Sequence, residues 1–427
     1  MLTAIAFTVV SCSSDDDAVS TDSGAPGASA PAASGSGVTS PGTGEPVTPP
    51  TGASPATPAA SAATGDPYVI GVSLELTGAL SELGEGFLKG AESYVAGANA
   101  SGGVAGHPVE LVALDHSNKP DQGVANVTRL VSDDGAIGIT GFVLSNACNA
   151  AERMTSEAQV PLVCSAAEPD MLNPVRPFMF GSKFPVAYQA AAVVDFAETL
   201  APTDGTKIAY VGLAAASSSA YGDRIVAGAA EKGWDVVADE EVPPEVTDMS
   251  AQVAKVAAGD PDMVFTGLQD APFILFMRTL QAQGVDVPVI NYEAGSSVNA
   301  LEGAGSANVY VARGFGYPTS SEGPGVDQFI ADTAAAGVDA NGPYVINGYL
   351  AAMIIVNGLQ GCADGCTALT LQQSLDQLDV DTGGLTAGPL VYTADDHAPG
   401  DSVNIYRWDP DSGTPELVAE DVPGSDS

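Results

Sequence analysis

From Tyr68 onward, short apolar runs alternate with longer stretches of helical period, and this rhythm limits the fold more than any other feature of the chain. "YVIGVSLE", "PVELVALD", "AIGITG" and "PLVC" read as strands; "EGFLKGAESYVAGANA", "QGVANVTRLVSDD" and residues 146–158 read as the helices between them. Strands separated by helices pair in parallel, with helices covering both faces of the sheet. The rhythm breaks near "GSKFPVAY" and starts again: helices over 187–200, 221–233, 249–258 and 272–283 alternate with "KIAYVGL", "DVVADEEV", "DMVFTGL" and "PVINYE". Near Gly314 the pattern returns to helices, over 324–336, 343–360 and 367–379, before a β-rich segment from Gly388 onward. The expected class is α/β, with two doubly wound parallel-sheet lobes and a chain that passes between them more than once.

The segment ahead of this rhythm has a different composition. Val9-Val10-Ser11-Cys12 resembles the bacterial lipobox, in which the cysteine thiol receives a diacylglycerol and the chain is cut just before it. Residues 1–12 are therefore expected to be a lipoprotein signal, truncated because no Lys or Arg precedes the apolar part, with Cys12 lipidated. Residues 13–66 are Ser, Thr, Gly, Ala, Pro and Asp with almost no bulky side chain, which predicts a disordered tether with an end-to-end distance of roughly 40 Å. With Cys12 acylated, Cys148, Cys164, Cys362 and Cys366 remain, an even count that suggests two disulfides in an exported chain. Cys362 and Cys366 enclose only "ADG" and are expected to form a local staple; the pairing of Cys148 with Cys164 depends on packing.

Charge excludes some partners. Lys and Arg total 13 against 53 acidic residues, a net charge of −40, which repels nucleic acid and other polyanions. No cofactor or metal site is expected: "DPDSGTPE" from Asp409 reads as a hairpin turn, not a calcium loop. No run of about twenty apolar residues is present to span a membrane.

Several phrases together resemble the type I periplasmic solute-binding proteins of branched-chain amino-acid (Leu/Ile/Val) ABC importers. They are "IGVSLELTGALSELGEGFLKGAESYVAGANASGGVAGHPVELVALD", "PLVCSAAEPD", "AYGDRIVAGAAEKGW", "DMVFTGLQDAPFILFMRTLQAQG", "PVINYEAG" and "NGPYVINGYLAAM". The likeness covers about residues 68–420. It implies a bilobed fold joined by three hinge strands, residues 68–186 plus 317–383 forming one lobe and 187–316 plus 384–420 the other. It also implies a small-molecule ligand, an ABC permease as partner, an extracytoplasmic location with the lipid anchor in the membrane, and no catalysis.

In doubly wound sheets ligands sit beyond the carboxyl ends of the strands, where helix N-termini present free N–H groups. That rule selects Ser145 and Asn146, which open the helix after "AIGITG"; spacing alone leaves helix capping equally open, and the resemblance favours a carboxylate contact. The resemblance further implies that Glu293 holds a ligand amino group and that Tyr221 closes over the ligand; by position after their strands, the carbonyls of Ala166 and Ala167 are expected to accept hydrogen bonds from an ammonium, and Thr77 and Gly78 to form a turn at the cleft mouth. Three positions depart from the family: Glu168 replaces a threonine, Leu83 an aromatic, and Gln269 or Asp270 a tyrosine. The expected pocket is more negative, suited to an amino acid or a ligand with an added amine, amidine or urea-like donor set.

Two rival readings are weaker. Gly84–Gly90, "GEGFLKG", with Asp115 beyond it, approximates the dinucleotide fingerprint of an NAD(P)-dependent oxidoreductase, but Gly84 lies some ten residues past its strand and the last glycine is one residue late. His107, His116 and His397 are scattered and read as solvated surface. A ligand-sensing lipoprotein that signals to a receptor would carry the same binding lobes.

Overall fold

The computed structural model describes residues 63–78, 80–165, 168–201, 205–363 and 365–424; Cys12 and most of the expected tether lie outside these. In chain order the first half contains β1 (Tyr68–Leu74), α1 (Ser81–Ala100), β2 (Val109–Asp115), α2 (Pro120–Ser132), β3 (Gly138–Gly141), α3 (Ser145–Ala158), β4 (Leu162–Cys164), α4 (Pro169–Leu172) and β5 (Met179–Gly181). The five strands form one parallel sheet in the order β2-β1-β3-β4-β5. Next come α5 (Val186–Ala197), β6 (Lys207–Leu213), α6 (Ala216–Glu231), β7 (Asp235–Val242), α7 (Ser250–Gly259), β8 (Met263–Gly267), α8 (Asp270–Ala282), β9 (Val289–Asn291), α9 (Val298–Ala304) and β10 (Val309–Arg313). The chain then returns to the first sheet with α10 (Pro324–Ala336), α11 (Val345–Gly361) and α12 (Ala368–Leu375), followed by the small pair β11 (Asp379–Val380) and β12 (Leu390–Val391). It ends with β13 (Ser402–Asp409) and β14 (Thr414–Pro423), which complete a second sheet in the order β14-β13-β10-β9-β8-β6-β7.

Both sheets are covered on each face. Cores of α1, α10 and α11 residues and of α2 and α3 residues flank the first; cores of α7, α8 and α9 residues and of α5 and α6 residues flank the second. Burial on both faces explains why β1 and β8 are apolar without alternation, whereas β7, at the sheet edge, is largely exposed. Helix α11 is apolar on every side because it lies inside the first lobe against α1 and α12. The glycines of "GEGFLKG" lie within α1, not in a phosphate-binding turn. A Cβ on Gly86 or Gly90 would overlap the carbonyl oxygens of Pro343 and Val345, so these glycines let α1 approach α11 closely.

The fold differs from expectation in three ways. The second sheet is mixed, since β13 pairs antiparallel with both β10 and β14. Residues 384–398, assigned above to the second lobe, pack on the first: Leu385, Leu390 and Tyr392 enter its core and the Tyr392 hydroxyl donates to the Gly181 carbonyl. The last crossing therefore falls between β12 and β13. Two of the three histidines are interior, not solvated: His116 is fully buried, and His397 stacks on Phe180 at 4.0 Å, with Nδ1 2.8 Å from the Met179 carbonyl oxygen and Nε2 3.1 Å from Asp376. Cys148 of α3 is bonded to Cys164 at the end of β4, and Cys362 to Cys366 between α11 and α12.

Candidate ligand-binding site

The carboxyl edges of the two sheets meet at one ion pair. Lys183 follows β5 of the first sheet, Glu293 follows β9 of the second, and Lys183 Nζ lies 3.4 Å from Glu293 Oε1, with side-chain exposures of 11% and 3%. Glu293 is held in place on its other sides: its N–H donates to Gln189 Oε1 at 3.2 Å, and its Oε2 accepts from the Gly314 N–H at 3.3 Å. The Lys183 ammonium also lies 5.8 Å from the centre of the Tyr344 ring. Burial alone would lower the affinity of this lysine for its proton, but Tyr344, Glu293 and Tyr292 reverse that effect and hold it above the ordinary lysine value.

Beside Glu293 on the same edge, Asp270 opens α8 and accepts from the Ser297 N–H at 3.4 Å. Its burial raises its pKa, while the Ser297 bonds and the charge of Arg313 act in the opposite direction. Arg313, at the end of β10, is buried between the rings of Phe315 and Tyr317, 4.4 and 3.8 Å from their centres. Arg313 and Lys183 are both largely enclosed, and sequence reasoning missed them both. The available signal was "FMFGSK" and "VYVARG": a short apolar run, then a cation, in a chain with few cations.

The other expected residues are distributed over both edges. Ser145 is half-buried at the first position of α3, whose N-terminus has no side-chain cap, and Asn146 is exposed, its Oδ1 accepting from the Ala147 N–H at 2.8 Å. Ser165 and Ser182, which follow β4 and β5, are buried with hydroxyls that have no hydrogen-bond partner. Ala166 and Ala167 lie outside the described residues; Glu168 is half-buried just before α4. Thr77 is exposed at the end of β1 and donates to Asp115. Partial burial would raise Asp115, but bonds from Thr77, Ser117 and the Leu76 N–H outweigh it and hold it at about 2.

Tyr221 does not begin its helix; α6 starts at Ala216, because "ASSS" carries no apolar period to reveal its first turn. The ring is fully buried, 5.4 Å from Tyr292 and 6.4 Å from Tyr210, with an unpartnered hydroxyl. Gln269 is exposed just before α8.

Comparison with known proteins gives a consistent answer. The family described as periplasmic binding protein matches residues 67–414. A Leu/Ile/Val-binding protein homolog 3 from Brucella melitensis is 26% identical over 342 residues, covering 80% of this chain and 91% of that protein. The branched-chain amino acid transporter substrate binding protein of Streptococcus pneumoniae, solved with isoleucine, superposes with a TM-score of 0.69 at 21% identity, over 82% of this chain and 99% of that one. A solute binding protein of an ABC transporter from R. palustris, solved with 4-hydroxybenzoate, superposes at 0.71 with 18% identity, over 84% and 98%. Two α/β lobes whose strands' carboxyl edges meet, and a family match across almost the whole described region, lead to one conclusion: the chain belongs to the periplasmic binding protein family.

Proposed function

We propose that this protein is the extracytoplasmic solute-binding component of an ABC importer, holding a small organic solute between the carboxyl edges of its two sheets. The observation that carries this reading is the Lys183–Glu293 pair, which brings polar groups of both lobes to one buried point. Neither edge alone surrounds a solute, and the chain crosses between the sheets after β5, after β10 and after β12, so closure of the lobes about these segments accompanies binding. Ser145, Asn146, the carbonyls of Ala166 and Ala167, Glu168, Thr77, Tyr221, Gln269, Asp270 and Glu293 are the proposed ligand-facing set. Small-angle scattering of the full chain with a solute found by thermal-shift screening should give a smaller radius of gyration than without it. An unchanged radius, with binding confirmed by calorimetry, would count against closure.

We also propose that Cys12 carries a lipid, a reading supported by "VVSC" alone. With a complete signal supplied, fatty-acid labelling should mark the wild type and disappear in Cys12→Ala; equal labelling of the two defeats it. A sensing lipoprotein has the same lobes, and coupling of solute uptake to a permease separates the two functions.

A further inference from the structure

We propose that the cleft takes a small monocarboxylate without an ammonium group, because Lys183 already occupies the acid that would hold one; this rests on reading the cleft as the solute site. Glu293 has one oxygen on the Gly314 N–H and the other, which makes no hydrogen bond, 3.4 Å from the Lys183 ammonium as its counter-charge. A ligand ammonium placed against this carboxylate would lie beside a second positive charge in a site shielded from water, where like charges repel strongly. Displacing Lys183 is no easier. The lysine is tethered, so it competes at an effective concentration in the millimolar range or above, and once displaced it would be left buried without a counter-charge.

The second acid on this edge, Asp270, accepts from the Ser297 N–H and feels the charge of Arg313 more weakly, without a direct ion pair. The expectation of a more negative pocket counted the acids without Lys183 and Arg313. What the first lobe offers is the reverse: the free amides at the start of α3 and the Ser165 and Ser182 hydroxyls, buried and unpartnered. Buried donors without acceptors are satisfied by an anionic oxygen. Glu168, half-buried beside that edge, adds one negative charge there and disfavours a ligand with two or three carboxylates.

The test uses pairs of ligands that differ only in the ammonium: leucine against 4-methylpentanoate, and phenylalanine against 3-phenylpropanoate, titrated calorimetrically into the full chain. In at least one pair the wild type should bind the simple acid at least tenfold tighter than the amino acid. Lys183→Met frees Glu293 and should gain at least tenfold for the amino acid, while Lys183→Arg keeps the wild-type preference; thermal melts check that each variant is folded. Equal or tighter binding of the amino acids by the wild type overturns the inference and leaves the cleft reading standing. An unchanged preference in folded Lys183→Met also overturns it. If neither series binds the wild type or Lys183→Met, the inference and the cleft reading fail together.

Discussion

Two of the acid–base pairs among the described residues, both enclosed, resolve the same problem in opposite ways. Lys183 and Glu293 join the two lobes, and the lysine is held in its charged form. Glu75 and His116 lie side by side in the first lobe, at the ends of the paired strands β1 and β2, with Oε1 and Nε2 3.7 Å apart and both residues fully buried. No carboxylate oxygen or ring nitrogen of this second pair makes a hydrogen bond, and the imidazole stacks on Phe142 at 5.3 Å. Burial is the first cause acting on both members, raising Glu75 and lowering His116, so both are driven towards their neutral forms. A lysine begins with so strong a hold on its proton that burial beside an acid leaves it charged; a histidine starts near neutrality and gives the proton up. The inter-lobe lysine thus keeps its charge, while burial penalises the charged form of both members of the intra-lobe pair.

The largest expected effect comes from breaking each pair. Glu293→Ala leaves Lys183 buried without a counter-charge and should cost about 3–5 kcal/mol of unfolding free energy. Glu75→Met removes a carboxyl whose oxygens make no hydrogen bond and whose charged form burial penalises, and should stay within about 1 kcal/mol of wild type. Denaturant titrations of both variants compare them directly, and equal losses would erase the distinction.

The pH dependence sharpens it. With its pKa raised above 4.5 in the fold, Glu75 keeps a proton that the unfolded chain releases, so its contribution to stability is lost as pH rises from 4.5 through the folded value. His116, lowered from 6.5, refuses a proton that the unfolded chain binds, and stability falls as pH drops from 6.5 through its folded value. Lys183, raised above 10.5, contributes fully below that pH and loses its contribution only as pH climbs through its folded value. Unfolding free energies measured across pH should therefore diverge from wild type upward of 4.5 for Glu75→Gln and downward of 6.5 for His116→Gln. Parallel curves would mean that folding changes neither proton affinity, and divergence below 4.5 for Glu75→Gln or above 6.5 for His116→Gln would mean that the pair is charged.

The smallest effect concerns Asp115, the neighbour of this pair, whose charge is kept by hydroxyls and amides with no cation beside it. Thr77→Ala removes one of those donors and should move Asp115 from about 2 towards 3.8, read by carboxyl NMR titration. The change in stability should be below about 1 kcal/mol, because the group is partly exposed. An unmoved Asp115 would show that the backbone donors suffice.

The sequence by itself determined the α/β class, the βα rhythm of both lobes and the break at "GSKFPVAY", because long amphipathic helices and buried strands impose periods that local side chains cannot hide. It also carried Glu293, through the order and spacing of whole phrases. It missed β5 and β10, which no regular helix–strand alternation flags, and with them Lys183, just after β5, and Arg313, the last residue of β10. It placed the last crossing at 384, since nothing local distinguishes a strand of one lobe from a strand of the other. The state of each buried acid was decided only in three dimensions. Whether Glu293 meets Lys183, Glu75 meets His116 or Asp115 meets Thr77 depends on which strand ends become neighbours, and proton affinity follows those contacts and the water they exclude.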